Sequence, residues 1–121
     1  MPPPVRDLSA RSLRFSVHLA DYVEQEQRRR VISARILDQL LRAGTSIGAH
    51  NAEAEVAITR RHLLALRAGA LKEAVETEYW LKVVIAGGRS QSNAAVQELL
   101  TQASELTAIL TVCVKKLRGQ Q

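Results

Sequence analysis

Apolar residues recur along this chain with the period of an α-helix. After Leu8, the positions Phe15, Leu19, Tyr22 and Val23 fall on one side of a helix, with Leu13 and Ala20 beside them. A second run places Val31, Ile32, Ile36, Leu40, Ala43 and Ile47 at the same kind of spacing. A third, from Leu63 to Ile85, is apolar over more than one stripe: Leu63, Leu64, Leu66, Ala70, Leu71, Ala74, Val75, Trp80, Leu81, Val84 and Ile85. A fourth carries a single clean stripe of Val96, Leu99, Leu100, Ala103, Leu106, Leu110, Cys113, Val114 and Leu117. No alternating strand pattern and no internal repeat interrupts them.

The polar breaks between these runs set the expected boundaries. Asp7 or Ser9 caps the first helix, and the charged stretch Glu24 to Arg30 reads as its end and the connection to the next. Thr59 is the best N-cap for the third helix, although Arg60, Arg61 and His62 in its first turn oppose the helix dipole. Gly87-Gly88-Arg89-Ser90 is the clearest turn, with Ser90 or Ser92 capping the fourth helix. Helices are therefore expected at about 7–26, 30–54, 60–86 and 92–118. Short connections make sequential helices antiparallel, so the predicted fold is all-α, an up-down-up-down four-helix bundle over 6–118. A Pro-rich extended lead-in occupies 1–5. Gly44 and Gly48, four apart in the second helix, invite a close helix approach. No helix is central in a four-helix bundle, so the second apolar side of helix three predicts a subunit interface.

Composition narrows the chemistry. The 121 residues suit one domain, and with only Phe15, Tyr22, Tyr79 and Trp80 as aromatics the core must be built from Leu, Val, Ile and Ala. Cys113 is the single cysteine and lies on the core stripe of helix four, so it reads as a small buried hydrophobe, not as a nucleophile or metal ligand. The residues three before His18, His50 and His62 are Phe15, Ile47 and Thr59, so the Glu-x-x-His pairs of di-iron bundles are missing. There is no Gly-x-Ser-x-Gly elbow, P-loop or dinucleotide-binding glycine pattern either. No enzyme activity, cofactor, metal or small-molecule substrate is expected. No secretory h-region and no apolar run long enough to span a bilayer is visible, so a cytoplasmic protein with no membrane partner is expected.

Charge supplies the remaining candidates. Lys and Arg number 17 against 12 Asp and Glu, a formal net charge of +5. In an antiparallel bundle, Arg28, Arg29 and Arg30 share one end with Arg89, and Arg60 and Arg61 share the other with Lys115, Lys116 and Arg118. Positive charge at both ends can hold phosphate backbones without reading bases, while the lack of exposed aromatics disfavours a stacking platform. The bland alternative is that these are ordinary solvated helix ends. Separately, Gln39 and Arg42 near the apolar face of helix two, with Glu73 and Glu78 on helix three, make a candidate polar core in which a Glu–Arg pair sets the register. Solvated or ligand-binding roles for those carboxylates stay open.

The segment Gln39-Leu40-Leu41-Arg42-Ala43-Gly44-Thr45-Ser46-Ile47-Gly48-Ala49, then Leu71-Lys72-Glu73-Ala74 and Glu76-Thr77-Glu78-Tyr79-Trp80-Leu81, resembles the proteins encoded in intervening sequences of 23S ribosomal RNA genes. That family is related to accessory proteins of diversity-generating retroelements. The chain departs from it at His50-Asn51, where an Asn followed by an aromatic or aliphatic residue is usual, and at Leu63, where Phe is common. The resemblance implies a left-handed bundle, ring-like homo-oligomers that are pentamers in some members, and no established enzyme activity. In the retroelement relatives it implies a basic ring surface that meets nucleic acid and reverse transcriptase. The function expected from all this is a non-enzymatic homo-oligomer that binds RNA or DNA backbone non-specifically through its basic ends. The alternative is a structural or protein-interaction ring with no nucleic-acid role.

Overall fold

The computed structural model describes residues 7–119. Within them lie four helices and no strand: α1 (Leu8–Arg29), α2 (Ala34–Ala54), α3 (Arg60–Gly87) and α4 (Asn93–Gly119). Each packs against the next, and α4 closes back onto α1 through the least extensive of the four seams. This is the all-α, antiparallel four-helix bundle that the periodicity predicts. The Pro-rich lead-in expected at 1–5 lies outside the described residues.

Three of the caps follow their sequence signals. Thr59 is extended and its hydroxyl accepts from His62 N–H at 3.0 Å. Ser92 accepts from Ala95 N–H at 3.1 Å. Gly88 ends α3 in the left-handed region at φ 65 and ψ 21. Such caps contribute about 1 kcal/mol each by satisfying N–H or C=O groups that the helix leaves open. At the other boundaries the chain differs from expectation. Asp7 precedes α1 without a side-chain cap bond, and Ser9 Oγ instead reaches the carbonyl of Asn51 at 3.4 Å. Helix α1 continues through the charged run to Arg29, and Arg30 terminates it with φ 57 and ψ 34. The run is helical because Glu and Arg are good helix formers and pair at i,i+3 and i,i+4, as Glu24–Arg28 and Glu26–Arg29 do here. The next helix then begins at Ala34 behind the cap Ser33.

The core is aliphatic. Leu19, Leu37, Leu40, Ile47, Leu81, Leu99 and Leu110 are fully buried, as are the small residues Ala43, Ala70, Ala74 and Ala103. Each buried Leu or Ile contributes about 1.5–3 kcal/mol through its apolar surface. A small residue also makes room between α1 and α2: the Leu19 side chain, with Phe15 beside it, occupies the space that a Cβ on Gly44 would take. On α3 the middle of the inward stripe is short-chained, with Ala70, Ala74 and Thr77 between Arg67 and Leu81, and a second apolar stripe runs through Leu64, Ala68, Leu71, Val75 and Tyr79. Those first three are half-buried, whereas Val75 and Tyr79 remain 52% and 59% exposed.

Candidate functional site

The fold gathers the basic residues at its two ends. At the end where α1 and α3 stop and α2 and α4 start, Arg29 Nη1 donates to the carbonyl of Arg89 at 3.2 Å, and Arg30 and Arg89 line one cavity. At the opposite end, the cap Thr59 with Arg60 and Leu63 of α3 lines one cavity with Leu117 of α4, and Lys115, Lys116 and Arg118 stand on the surrounding turns. The cations do not all have the same local partners. Arg28 is paired with Glu24 at 2.8 Å on an open surface, and Arg29 with Glu26. Arg30, Arg89, Arg61, Lys115, Lys116 and Arg118 are exposed, and among the described residues no carboxylate lies within 4 Å of them. Arg35, in the first turn of α2, joins this unpaired set.

A buried carboxylate organises the Arg28–Arg30 end. Glu26 is 2% exposed, and its oxygens accept from Gln91 N–H at 2.9 Å, Ser90 Oγ at 3.1 Å and the Arg29 guanidinium. Tyr22 Oη lies 2.6 Å from Ser90 Oγ, so a chain of hydroxyls runs from Tyr22 through Ser90 to Glu26. Burial raises the Glu26 carboxyl, but the bonds from Gln91, Arg29 and Ser90 outweigh it and hold the group below the usual carboxylate range. Burial raises the Tyr22 phenol; the bond to Ser90 opposes this, and the Glu26 charge adds to it. The carboxylate thus fastens the α3–α4 turn to the end of α1 and seats Arg29, whose guanidinium also reaches the Arg89 carbonyl.

The opposite end holds a buried cation. Arg67 is 8% exposed and its Nη1 donates to Asn51 Oδ1 at 2.9 Å. Asn51 Nδ2 donates to Ser12 Oγ at 2.9 Å, and that hydroxyl donates to the Leu8 carbonyl at 2.7 Å. Three helices are joined by this chain, in which the guanidinium meets an amide and no carboxylate lies within 4 Å among the described residues. Burial raises the Cys113 thiol against the opposing charges of Arg67 and Lys116. Cys113 is buried, and His50 Nδ1 is buried without a hydrogen-bond partner.

The residues Gln39, Arg42, Glu73 and Glu78 do not form a closed polar core. Arg42 is half exposed on the α2–α3 flank, where it pairs with Glu76 and, at 3.6 Å, with Glu73. Gln39 accepts from Arg42 at 3.4 Å, while Glu78 turns to α4 and accepts from Ser104 and Thr107. A side chain as long as arginine reaches solvent from a flanking position, so the pair forms at the surface. Among the described residues the buried polar positions are Ser12, Glu26, Asn51, Arg67 and Thr77. Each continues an apolar stripe by three or four residues, as Glu26 follows Tyr22 and Val23, and Asn51 follows Ile47. Their register was the available signal; their polarity hid it.

Among the described residues no group of three or more His, Cys, Asp or Glu side chains is placed to hold a metal ion, and no helix is long and apolar enough to cross a membrane. No family model and no curated protein matches the chain. A solved structure does: a protein of unknown function from the S23 ribosomal protein family of Bacteroides thetaiotaomicron VPI-5482. It shares 30% sequence identity and a TM-score of 0.82, over 89% of this chain and 98% of that one.

Proposed function

This chain belongs to the S23 ribosomal protein family, and on that premise we propose that it is a cytoplasmic homo-oligomer, a pentamer in the form the family resemblance implies, that binds nucleic-acid backbones without sequence preference. It acts by binding and not by catalysis. The observation that supports this reading is the set of unpaired cations at the two ends: Arg30, Arg35 and Arg89 at one, Arg61, Lys115, Lys116 and Arg118 at the other. Exposed guanidinium and ammonium groups with no local carboxylate are free to displace the counterions that surround phosphates. In a cyclic oligomer each end repeats around the axis, which multiplies the contacts available to one strand. The Arg28–Glu24 pair, 76% and 61% exposed, contributes little to this field.

Retention of the protein on immobilised mixed-sequence duplex is the test. Each phosphate neutralised lowers the logarithmic salt slope by about 0.9, so three or four contacts per end give a slope on the order of −3. Retention that is flat across the salt series refutes the reading. A second reading, a protein-interaction ring with no nucleic-acid role, is favoured by one feature: the partly exposed stripe from Leu64 to Tyr79 on α3. A ring that ignores nucleic acid but loses mass when Val75 and Tyr79 are made charged supports that alternative.

A further inference from the structure

Arg30 is the only non-glycine residue with a positive φ among the described residues. Helices α1 and α3 stop at the same end of the bundle, and both leave through a left-handed residue: α3 uses Gly88 at φ 65, α1 uses Arg30 at φ 57. The turn itself needs only a backbone, since the Arg30 N–H closes onto the Glu26 carbonyl at 3.3 Å. A side chain in this region costs stability relative to glycine. The Arg30 side chain recovers none of that through an ion pair, because it is exposed and no carboxylate lies within 4 Å among the described residues. A strained residue that the turn does not require points to a use for the side chain.

Its surroundings indicate the use. Arg30 and Arg89 line a cavity of about 480 Å³ whose floor includes Val31, Ile32 and Leu37. A second cavity of about 210 Å³ shares Ile32, Ser33 and Arg89 with the first and is otherwise walled by Ile36, Val83, Val84 and Gly87. A doubly cationic mouth therefore opens beside an aliphatic recess. An anion alone satisfies the first part and leaves the second empty; a duplex backbone does the same, because its bases are stacked and paired. We propose that these adjoining cavities take a nucleoside phosphate, with the phosphate between Arg30 and Arg89 and the base against Ile32, Ile36, Val83 and Val84. The ligand is either a free mononucleotide or an unpaired nucleotide at the end of a strand. The inference rests on the nucleic-acid reading above and narrows it at this end of the bundle from any backbone to one that offers an unpaired base. The seat is aliphatic, so discrimination comes from apolar burial, not aromatic stacking.

Fluorescence anisotropy on the full chain separates the possibilities, with a blunt mixed-sequence duplex, the same duplex carrying a short single-stranded overhang, and AMP as competitor. The overhang is expected to tighten binding about tenfold through apolar burial of the unpaired base. AMP displacing the overhang at millimolar concentration identifies a site open to free nucleotide; no displacement with the overhang preference intact assigns the site to strand ends. Arg30→Gly removes the preference while the thermal midpoint rises by roughly 3 °C, a pair of opposite changes that a merely structural arginine does not give. Gly87→Leu is the second variant. A Cβ there meets no atom within 4 Å and leucine favours helix, so the fold is kept while the recess is filled. It abolishes the overhang preference and leaves blunt-duplex binding unchanged. Equal binding of blunt and overhang duplexes, with no effect of Gly87→Leu, overturns the inference and leaves the basic-end reading standing. Binding of neither duplex overturns that reading as well.

Discussion

The two ends of the bundle carry similar surface charge over opposite interiors. Beneath Arg28, Arg29, Arg30 and Arg89 lies a buried carboxylate, Glu26, whose bonds to Gln91, Ser90 and Arg29 set the turn and seat one arginine. Beneath Arg61, Lys115 and Lys116 lies a buried guanidinium, Arg67, whose partner is an amide. At the first end, the interior anion neutralises part of the positive surface and fixes the geometry of the rest. At the second, the interior adds to the positive field and neutralises none of it. The comparison teaches that counting arginines in a sequence measures neither the local field nor the order of the side chains. What matters is which of them the core has already engaged.

Breaking the second interior should have the larger effect. Asn51→Leu leaves the Arg67 guanidinium buried without its acceptor and Ser12 without its donor. The cost is about 3 kcal/mol, read from denaturant midpoints. Adding Arg67→Met to that variant should recover most of the loss, because a buried polar pair replaced on both sides by apolar groups is close to neutral. A double variant no more stable than Asn51→Leu breaks the account of this end.

At the first end, Glu26→Gln keeps the shape but gives up the charge, and should cost about 2 kcal/mol at neutral pH. The pH dependence has a definite sign. The folded pKa of Glu26 is depressed, so its contribution is complete above the pKa of the unfolded chain, near 4.3, and is lost as pH falls through the lower folded value. The stability difference between the wild type and Glu26→Gln should therefore shrink across the acid limb and vanish below it. A difference that holds constant down to low pH contradicts the assignment. Asn51→Leu removes an amide and no carboxylate, so it should show no such closing gap.

Two smaller substitutions sharpen the same contrast. Ser92→Ala, next to the Glu26 cluster, and Thr59→Ala, at the other end, each remove one N-cap bond and should each cost about 1 kcal/mol in thermal unfolding. Arg28→Ala, which breaks only the open pair with Glu24, should change stability by less than about 0.5 kcal/mol.

The fold was legible because most inward positions are apolar and keep one register through each helix. Leu8, Phe15, Leu19 and Tyr22 point the way to the core without help from tertiary structure. Thr59, Ser92 and Gly88 were legible for the same reason: their caps are local chemistry. The buried polar residues were not. Glu26 sits in a run of seven polar residues that looks like a connection, and only its spacing from Tyr22 and Val23 marks it as inward. Arg67 and Asn51 each continue a core stripe, but their partnership spans 16 residues and two helices, which no local pattern records. Arg42 is the converse case: it lies near the apolar face, and its length carries its charge out to Glu73 and Glu76 on the α2–α3 flank. The left-handed turn at Arg30 was hidden because no glycine announces it.

The most direct test of the central claim is light scattering after size exclusion, with and without a mixed-sequence duplex, at low and at moderate salt. The account predicts a multi-subunit species whose mass rises when duplex is added at low salt and returns to the protein-only value as salt increases. A species of unchanged mass in the presence of duplex at low salt would contradict it, and would make the exposed cations at both ends ordinary solvated side chains.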